Sequence, residues 1–302
     1  MKRTVILFAL TFSILTAFSQ QLRIATYQYA DNNRLGNIQP FANHLKAVCG
    51  IDAVVKSYPT VHEFIDAIRN DEVDIALINT FGYFLLQSSG KPYPMHPLLA
   101  LEVDENAKDN YKTAFLTSRS SVIKSLPGIK SAAGKTRLAL VAKGSTSGNM
   151  LPRLALSYAG VPDAERSFQS VSYAGTHAKA IDALLNDEAD LATMGLTEYQ
   201  RYLSRDSSYA KKLQLIWTSP EIPLGPVLFN NQISDEQRQI IKKAFLDLHE
   251  ANPSVLASIK AGWSEAKQAN KYIQIADAFY NPFREVLGNQ ADLERILKQF
   301  AE

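Results

Sequence analysis

Three consecutive hydroxyl residues, Ser145-Thr146-Ser147, stand between Gly144 and Gly148. The apolar run Leu138 to Ala142 before them reads as a buried strand, and Met150, Leu151, Leu154 and Ala155 after them share one helix face. The hydroxyls therefore sit where a strand hands over to a helix N-terminus. That end of a helix offers unpaired backbone N–H groups and the positive pole of its dipole. Such a place suits an oxyanion: phosphate, phosphonate or carboxylate. One serine is enough to cap a helix. Three hydroxyls between two glycines exceed that need, so anion binding takes precedence over capping.

Catalytic readings of the same region fail on spacing. A nucleophile elbow needs Gly-x-Ser-x-Gly, but Thr146 occupies the centre between Gly144 and Gly148. A phosphate loop needs four residues between its glycines before Lys-Thr, whereas Gly128 and Gly134 ahead of Lys135-Thr136 are separated by five. Ser147 with His177 is the one candidate nucleophile–base pair, and no acidic residue is placed to orient the imidazole. The histidines, His44, His62, His96, His177 and His249, make no metal-ligand spacing. Neither an enzyme, a cofactor nor a metal is expected.

The elements that must position these residues begin after a leader. Lys2 and Arg3 precede the apolar run Val5 to Leu15 and then Ala17-Phe18-Ser19, the layout of a secretory signal peptide cleaved after Ser19. The run is too short to span a bilayer, so an exported protein that does not span the membrane is expected. There are 32 basic and 30 acidic residues; removing Lys2 and Arg3 balances them, which argues against nucleic acid as a partner. The single Cys49 excludes an internal disulfide and reads as a small core residue near a helix end.

A mature chain of about 280 residues commonly divides into two lobes, and an internal repeat supports this. The twelve residues from Ile65 to Ala76 recur from Ile181 to Ala192, identical at eight positions at an offset of 116. In each copy an amphipathic helix turns at Asn-Asp-Glu into a strand expected to lie parallel to its neighbours. The first lobe starts with a strand Leu22 to Thr26, which presents Tyr27 at its end. A helix from about Ile38 to Val48 and a strand Ala53 to Ser57 follow. After the strand Val73 to Ile78, Asn79-Thr80 open another helix. This copies the strand-to-helix geometry of the hydroxyl run and makes Thr80, with Tyr27, a candidate ligand contact from the facing lobe. A strand Tyr111 to Ser118 crosses to the second lobe, and the proline-rich stretch Ile216 to Pro226 leads back. The boundaries read as 20–112 with 224–302 for lobe 1 and 113–223 for lobe 2.

With these elements in place the chain resembles the phosphonate-binding periplasmic proteins of ABC transporters and their phosphite- and phosphate-binding relatives. The anchors are Ser145-Thr146-Ser147-Gly148 with Leu151-Pro152, and Ala174-Gly175-Thr176-His177 thirteen residues before Asp190. Val73-Asp74-Ile75-Ala76, Tyr111, Trp217-Thr218-Ser219-Pro220 and Ile222-Pro223 complete the set. The resemblance implies an α/β, two-lobed periplasmic binding protein fold of type II, hinged between the lobes. It also implies an ABC membrane permease as partner and a small phosphorus oxyanion held without chemistry. By the same resemblance Ser145, Thr146 and Ser147 donate to the oxyanion, His177 reaches the same oxygens, and Tyr111 contacts the ligand near the hinge. A receptor for another small anion, or the sensing partner of a signalling protein, would look the same in sequence.

The departures bear on ligand choice. The family's lobe-1 tyrosine falls on Val61, with Tyr58 out of register. A second family acid aligns with Thr197, or with Glu198 if one residue is inserted. Gly225 stands where aminoalkylphosphonate binders carry Asp. The expectation is a wall short of one carboxylate, weak aminoethylphosphonate binding, and a gain for the amine on Gly225→Asp.

Overall fold

The computed structural model describes residues 21–29, 32–88, 90–104, 106–107, 110–286 and 290–300. The signal-peptide reading of residues 1–19 lies outside them.

Two mixed sheets form the centres of two lobes. The first carries β1 (Leu22–Tyr27), β2 (Ala53–Tyr58), β3 (Ile75–Leu77), β4 (Met95–Val103), β10 (Pro226–Asn230) and β11 (Ala269–Gln274), in the order β11-β4-β10-β3-β1-β2. The second carries β5 (Thr113–Ser118), β6 (Arg137–Leu140), β7 (Ser170–Tyr173), β8 (Leu191–Gly195) and β9 (Leu213–Thr218), in the order β7-β6-β8-β5-β9. β1 runs parallel to β2 and β3, and β6 runs parallel to β7 and β8. The repeated strands β3 and β8 are parallel to their neighbours on one side only. On the other side each meets a strand that has crossed between the sheets, β10 or β5, and these pair antiparallel.

The repeat is a repeat of chemistry as well as of sequence. The Arg23 guanidinium on β1 donates Nε to Asp74 Oδ2 at 3.0 Å, Nη2 to Oδ1 at 2.6 Å and Nη1 to the Asp71 carbonyl at 2.7 Å. On β6, Arg137 does the same to Asp190, at 3.0 and 2.8 Å, and to the Asp187 carbonyl at 2.7 Å. Asp71 and Asp187 have φ of 59° and 57°, the positive-φ non-glycine residues among those described. Asp tolerates this left-handed turn better than most residues, which is why Asn-Asp-Glu recurs where helix becomes strand. Each bidentate arginine ties that turn to the neighbouring parallel strand.

The helices are α1 (Arg34–Cys49), α2 (Val61–Arg69) and α3 (Thr80–Ser88) in the first lobe, with Leu151–Tyr158, His177–Leu185 and Leu196–Arg205 in the second. In α2, Val61, Phe64, Ile65 and Ile68 form the buried stripe that the periodicity calls for. The helix Leu151–Tyr158 packs against both lobes, with Ala155 and Leu156 on the second-lobe core. Its Leu151 and Leu154, with Met150, join the apolar core of the first lobe beside Phe81, Ile296 and Phe300. The C-terminal helix Gln290–Lys298 follows them across, with Arg295 Nη1 donating to the Pro162 carbonyl at 2.7 Å.

The two chain crossings lie side by side. Ile222 N–H donates to the Tyr111 carbonyl at 2.7 Å, and Tyr111 N–H donates to Glu221 Oε1 at 2.7 Å. Tyr111 thereby stands at the seam between the lobes, directly before β5. Among the described residues no helix is long and apolar enough to cross a membrane.

Candidate functional site

The hydroxyl run begins a turn wider than an α-helix. Thr146–Met150 forms a π-turn, with Met150 N–H reaching back to the Ser145 carbonyl at 3.1 Å, before the α-helix Leu151–Tyr158 continues. Such turns recur at functional sites because they re-aim side chains. Gly148 makes this one possible: a Cβ there would lie 2.3 Å from Val141 Cγ2. Neighbouring strands brace the turn from below. Thr113 Oγ1 donates to the Ser147 carbonyl at 2.8 Å and Thr193 Oγ1 to the Gly148 carbonyl at 3.0 Å.

The three hydroxyls have different duties. Ser145 Oγ accepts from Gly148 N–H at 3.0 Å, so it caps the turn. Thr146 Oγ1 accepts from Phe81 N–H at 3.0 Å, a bond across the lobes that still leaves its proton to donate. Ser147 Oγ neither caps nor bridges, and with the phenol of Tyr111 alongside it faces a cavity of about 340 Å³ between the lobes. Burial raises the Tyr111 phenol well above its ordinary pKa, against the smaller lowering effect of the Thr146 and Ser147 hydroxyls. It is a neutral donor at physiological pH.

His177 opens the helix His177–Leu185, after Thr176 caps it by accepting from Lys179 N–H at 3.1 Å. Its Nδ1 accepts the Gly195 N–H at 2.9 Å. That bond fixes the tautomer, because an accepting Nδ1 leaves the proton on Nε2. Desolvation pulls the imidazole pKa down to about 4, against a smaller raising effect from Glu198. A neutral imidazole therefore offers one N–H donor into the cavity it lines.

From the first lobe, Tyr27 and Tyr29 line the same cavity, and both phenol hydroxyls are buried without a hydrogen-bond partner among the described residues. Burial raises the pKa of each. Buried polar groups are normally partnered, so two orphaned donors in one cavity mark a place for an acceptor. The Tyr29 ring lies 6.3 Å from that of His177, centroid to centroid, so the lobe-1 phenols face the lobe-2 donors.

Of the residues singled out in the sequence, Tyr27, Tyr111, Ser145, Thr146, Ser147, His177 and Glu198 all line this cavity. Thr80 does not, which corrects the expectation. Its hydroxyl donates to the Pro223 carbonyl at 2.7 Å, tying α3 to the returning chain. The facing position belongs to the preceding residue. Asn79 caps α3 through Oδ1, which accepts from Gly82 N–H at 2.9 Å, and donates Nδ2 to the Gly144 carbonyl at 3.0 Å across the lobes. Glu198 pairs with Arg201 one turn along its own helix, and both reach the cleft.

Gly225 also corrects the sequence reading. A Cβ there would stand 2.0 Å from the Ile78 carbonyl oxygen and 2.5 Å from Asn79 Cα, against the backbone of the first lobe. No carboxylate at that position could face the ligand without displacing backbone. Nor is the cleft short of acids, since Glu265 lines it together with Glu198. Tyr29, Arg34, Asn79, Arg201 and Glu265 were not found from sequence. They converge from segments far apart in the chain, and the buried-aromatic spacing of Tyr27 and Tyr29 was the nearest available signal.

The profile of the ABC transporter phosphonate periplasmic substrate-binding proteins matches residues 26–272. The chain belongs to that family. Its members bind substrates rather than transform them, so the protein is a periplasmic substrate-binding protein and not an enzyme. No curated protein sequence matches the chain. Among solved structures, it is similar to a binding component of an ABC phosphonate transporter from Pseudomonas aeruginosa, 19% identical over 93% of this chain and 95% of that one, TM-score 0.66. A Xanthomonas citri protein bound to chloride is 16% identical over 92% and 99%, TM-score 0.71. PhnD1 from Prochlorococcus marinus in complex with methylphosphonate is 16% identical over 88% and 96%, TM-score 0.66. At these identities the structural likeness speaks for the shared two-lobed fold.

Proposed function

We propose that this family member is the receptor of an ABC importer and captures a small phosphorus oxyanion, a phosphonate, phosphite or phosphate, between its lobes. The observation that carries the reading is the convergence of neutral donors on one cavity: Ser147 Oγ, the Nε2–H of a neutral His177, and the orphaned phenols of Tyr27 and Tyr29. An oxyanion satisfies several donors at once, and each bond to its charge is stronger than a neutral one. In this reading Ser145 shapes the turn, Thr146 joins the lobes and donates to the ligand, Tyr111 contacts it at the hinge, and Glu198 lies at the rim.

The lobes divide in this proposal at residues 112/113 and 223/224, with the bonded pair Tyr111 and Ile222 at the hinge. The leader 1–19 is removed after Ser19 on export, and the closed, loaded form docks on a membrane permease. Supporting closure around ligand, the Thr146–Phe81 and Asn79–Gly144 bonds join the lobes at the cleft rather than at the crossing strands.

A thermal-shift panel on mature protein tests this, with phosphate, phosphite, methylphosphonate and sulfate. A ligand specific for the native state adds about 2.7 kcal/mol of stability at a hundredfold excess over Kd. A clear rise with a phosphorus oxyanion is expected. No rise with any of the three, or a rise with sulfate alone, overturns the proposal.

A further inference from the structure

Arg34 is the first residue of α1 and is 4% exposed. Its guanidinium donates Nε to the Gly262 carbonyl at 2.9 Å and Nη1 to the Tyr27 carbonyl at 3.3 Å, leaving Nη2 without a partner among the described residues. It is packed by aromatic faces: its Cζ lies 4.4 Å from the ring centre of Tyr27, 5.4 Å from Tyr29 and 4.6 Å from Trp263. Within the described residues no carboxylate makes an ion pair with it. Contrast the other deeply buried guanidinium, Arg153, which is held by Glu165.

This placement is costly for a structural residue. A buried charge with no counter-ion strongly destabilises a fold. Here the cost is compounded by position, because the N-terminus of a sixteen-residue helix carries positive dipole charge and its first turn contains no acidic residue. Ring quadrupoles offset part of this, though not all. Arg34 lines the same cavity as Ser147 and His177, and the Tyr29 ring is near both, 5.4 Å from the Arg34 Cζ and 6.3 Å from the His177 ring. Glu265 lines that cavity too, outside ion-pair reach of Arg34. What is missing is a mobile negative charge.

We infer that Arg34 and the N-terminus of α1 supply the first lobe's charge contact to the bound oxyanion, and that this contact selects a doubly charged phosphorus oxyanion over an isosteric singly charged anion. The inference rests on the functional reading above and adds a residue and a selectivity to it. In the second lobe Ser147 and His177 are neutral donors and Arg201 is already neutralised by Glu198, so these groups hydrogen-bond a monoanion nearly as well as a dianion. A fixed guanidinium does discriminate between them, and it does so from the lobe that must close.

The test compares methylphosphonate with methanesulfonate at pH 8 by calorimetry on the mature wild type, Arg34→Gln and Arg34→Lys. Wild type should prefer the phosphonate, the Gln variant should narrow that preference at least tenfold, and the Lys variant should keep most of it. Ligand-free Arg34→Gln should melt no lower than wild type, since it loses a charge that lacks a counter-ion among the described residues, and a clear drop overturns the inference. The inference is overturned if the preference is the same with Gln as with Arg. It is equally overturned if wild type fails to distinguish the two anions, a result that stands even should the Gln variant not fold. Wild type that binds no phosphorus oxyanion overturns the functional reading and this inference with it. Wild type that binds one while Arg34→Gln keeps full preference overturns the inference alone.

Discussion

Gly195 N–H donates to His177 Nδ1 across 2.9 Å, and this bond determines what His177 can do. With Nδ1 occupied by a donor the ring stays neutral, and its pKa falls to about 4 through desolvation. The unfolded chain has an ordinary histidine pKa, about 6.5. Between those values the unfolded chain binds the proton and the folded chain does not. The contribution of His177 is therefore fully present above about pH 6.5 and is lost as pH falls toward 4. Wild type should lose more of its thermal midpoint across that window than His177→Gln does. Equal slopes in melts at stepped pH would refute the buried neutral imidazole.

Ser145 and Ser147, two residues apart, should separate stability from binding. Ser145 caps Gly148 N–H, so Ser145→Ala should cost about 0.5–2 kcal/mol of folding stability by urea denaturation. Ser147 faces the cavity, and Ser147→Ala should weaken oxyanion binding by roughly 1.5–3 kcal/mol with little change in ligand-free stability. Calorimetry showing unchanged affinity for Ser147→Ala would remove it from the site.

The bond from Phe81 N–H to Thr146 Oγ1 makes Thr146 the link between ligand and closure. Thr146→Val keeps the shape but leaves that N–H without an acceptor whenever the lobes meet, a cost of about 1–3 kcal/mol. Affinity should fall accordingly, and the ligand-free protein should scatter X-rays as a more open particle. Thr146→Ser should behave as wild type. Tight binding by the Val variant would show that closure does not depend on this bond.

How much of this was legible in sequence follows from where the information lies. The duplicated helix-turn-strand could be read because its pattern is local. The oxyanion turn could be read because three hydroxyls and two glycines are contiguous. The facing lobe was harder. Thr80 and Asn79 both suit a helix start, and which one faces the cleft is settled by where the Pro223 and Gly144 carbonyls lie, more than sixty residues away. Arg34 lies ahead of the helix that the sequence places from about Ile38, and its role depends on Gly262 and Trp263, more than two hundred residues along the chain. Gly225 was judged by the side chain it lacks, whereas it is fixed by the backbone it touches.

That last contact corrects the expected effect of Gly225→Asp. Any Cβ at 225 meets the Ile78 carbonyl and Asn79 Cα, at the junction of β3 and α3. Relief requires moving Asn79 and Phe81 N–H, the groups that reach the second lobe. Gly225→Ala should therefore destabilise the protein by about 1–3 kcal/mol or more and weaken oxyanion binding as well. Gly225→Asp should be worse on both counts and gain nothing for an amine. A urea midpoint equal to wild type for Gly225→Ala would show that the backbone yields there.

The carboxylate that can meet an amine is elsewhere. Glu198 is already engaged by Arg201, whereas Glu265 lines the cleft with only the Ser264 hydroxyl, at 3.2 Å, as side-chain partner among the described residues. An ammonium group on the ligand would give Glu265 a counter-charge, and a ligand without one leaves it facing a second negative charge. Aminoethylphosphonate should therefore bind at least as tightly as methylphosphonate, contrary to what the glycine at 225 suggested. Glu265→Gln should reverse the order by lowering affinity for the amine and raising it for methylphosphonate. Glu198→Gln frees Arg201 and should favour the methyl compound by a smaller margin. Competition calorimetry decides between the acids: if Glu265→Gln leaves the ratio of the two affinities unchanged, Glu265 is no part of ligand choice.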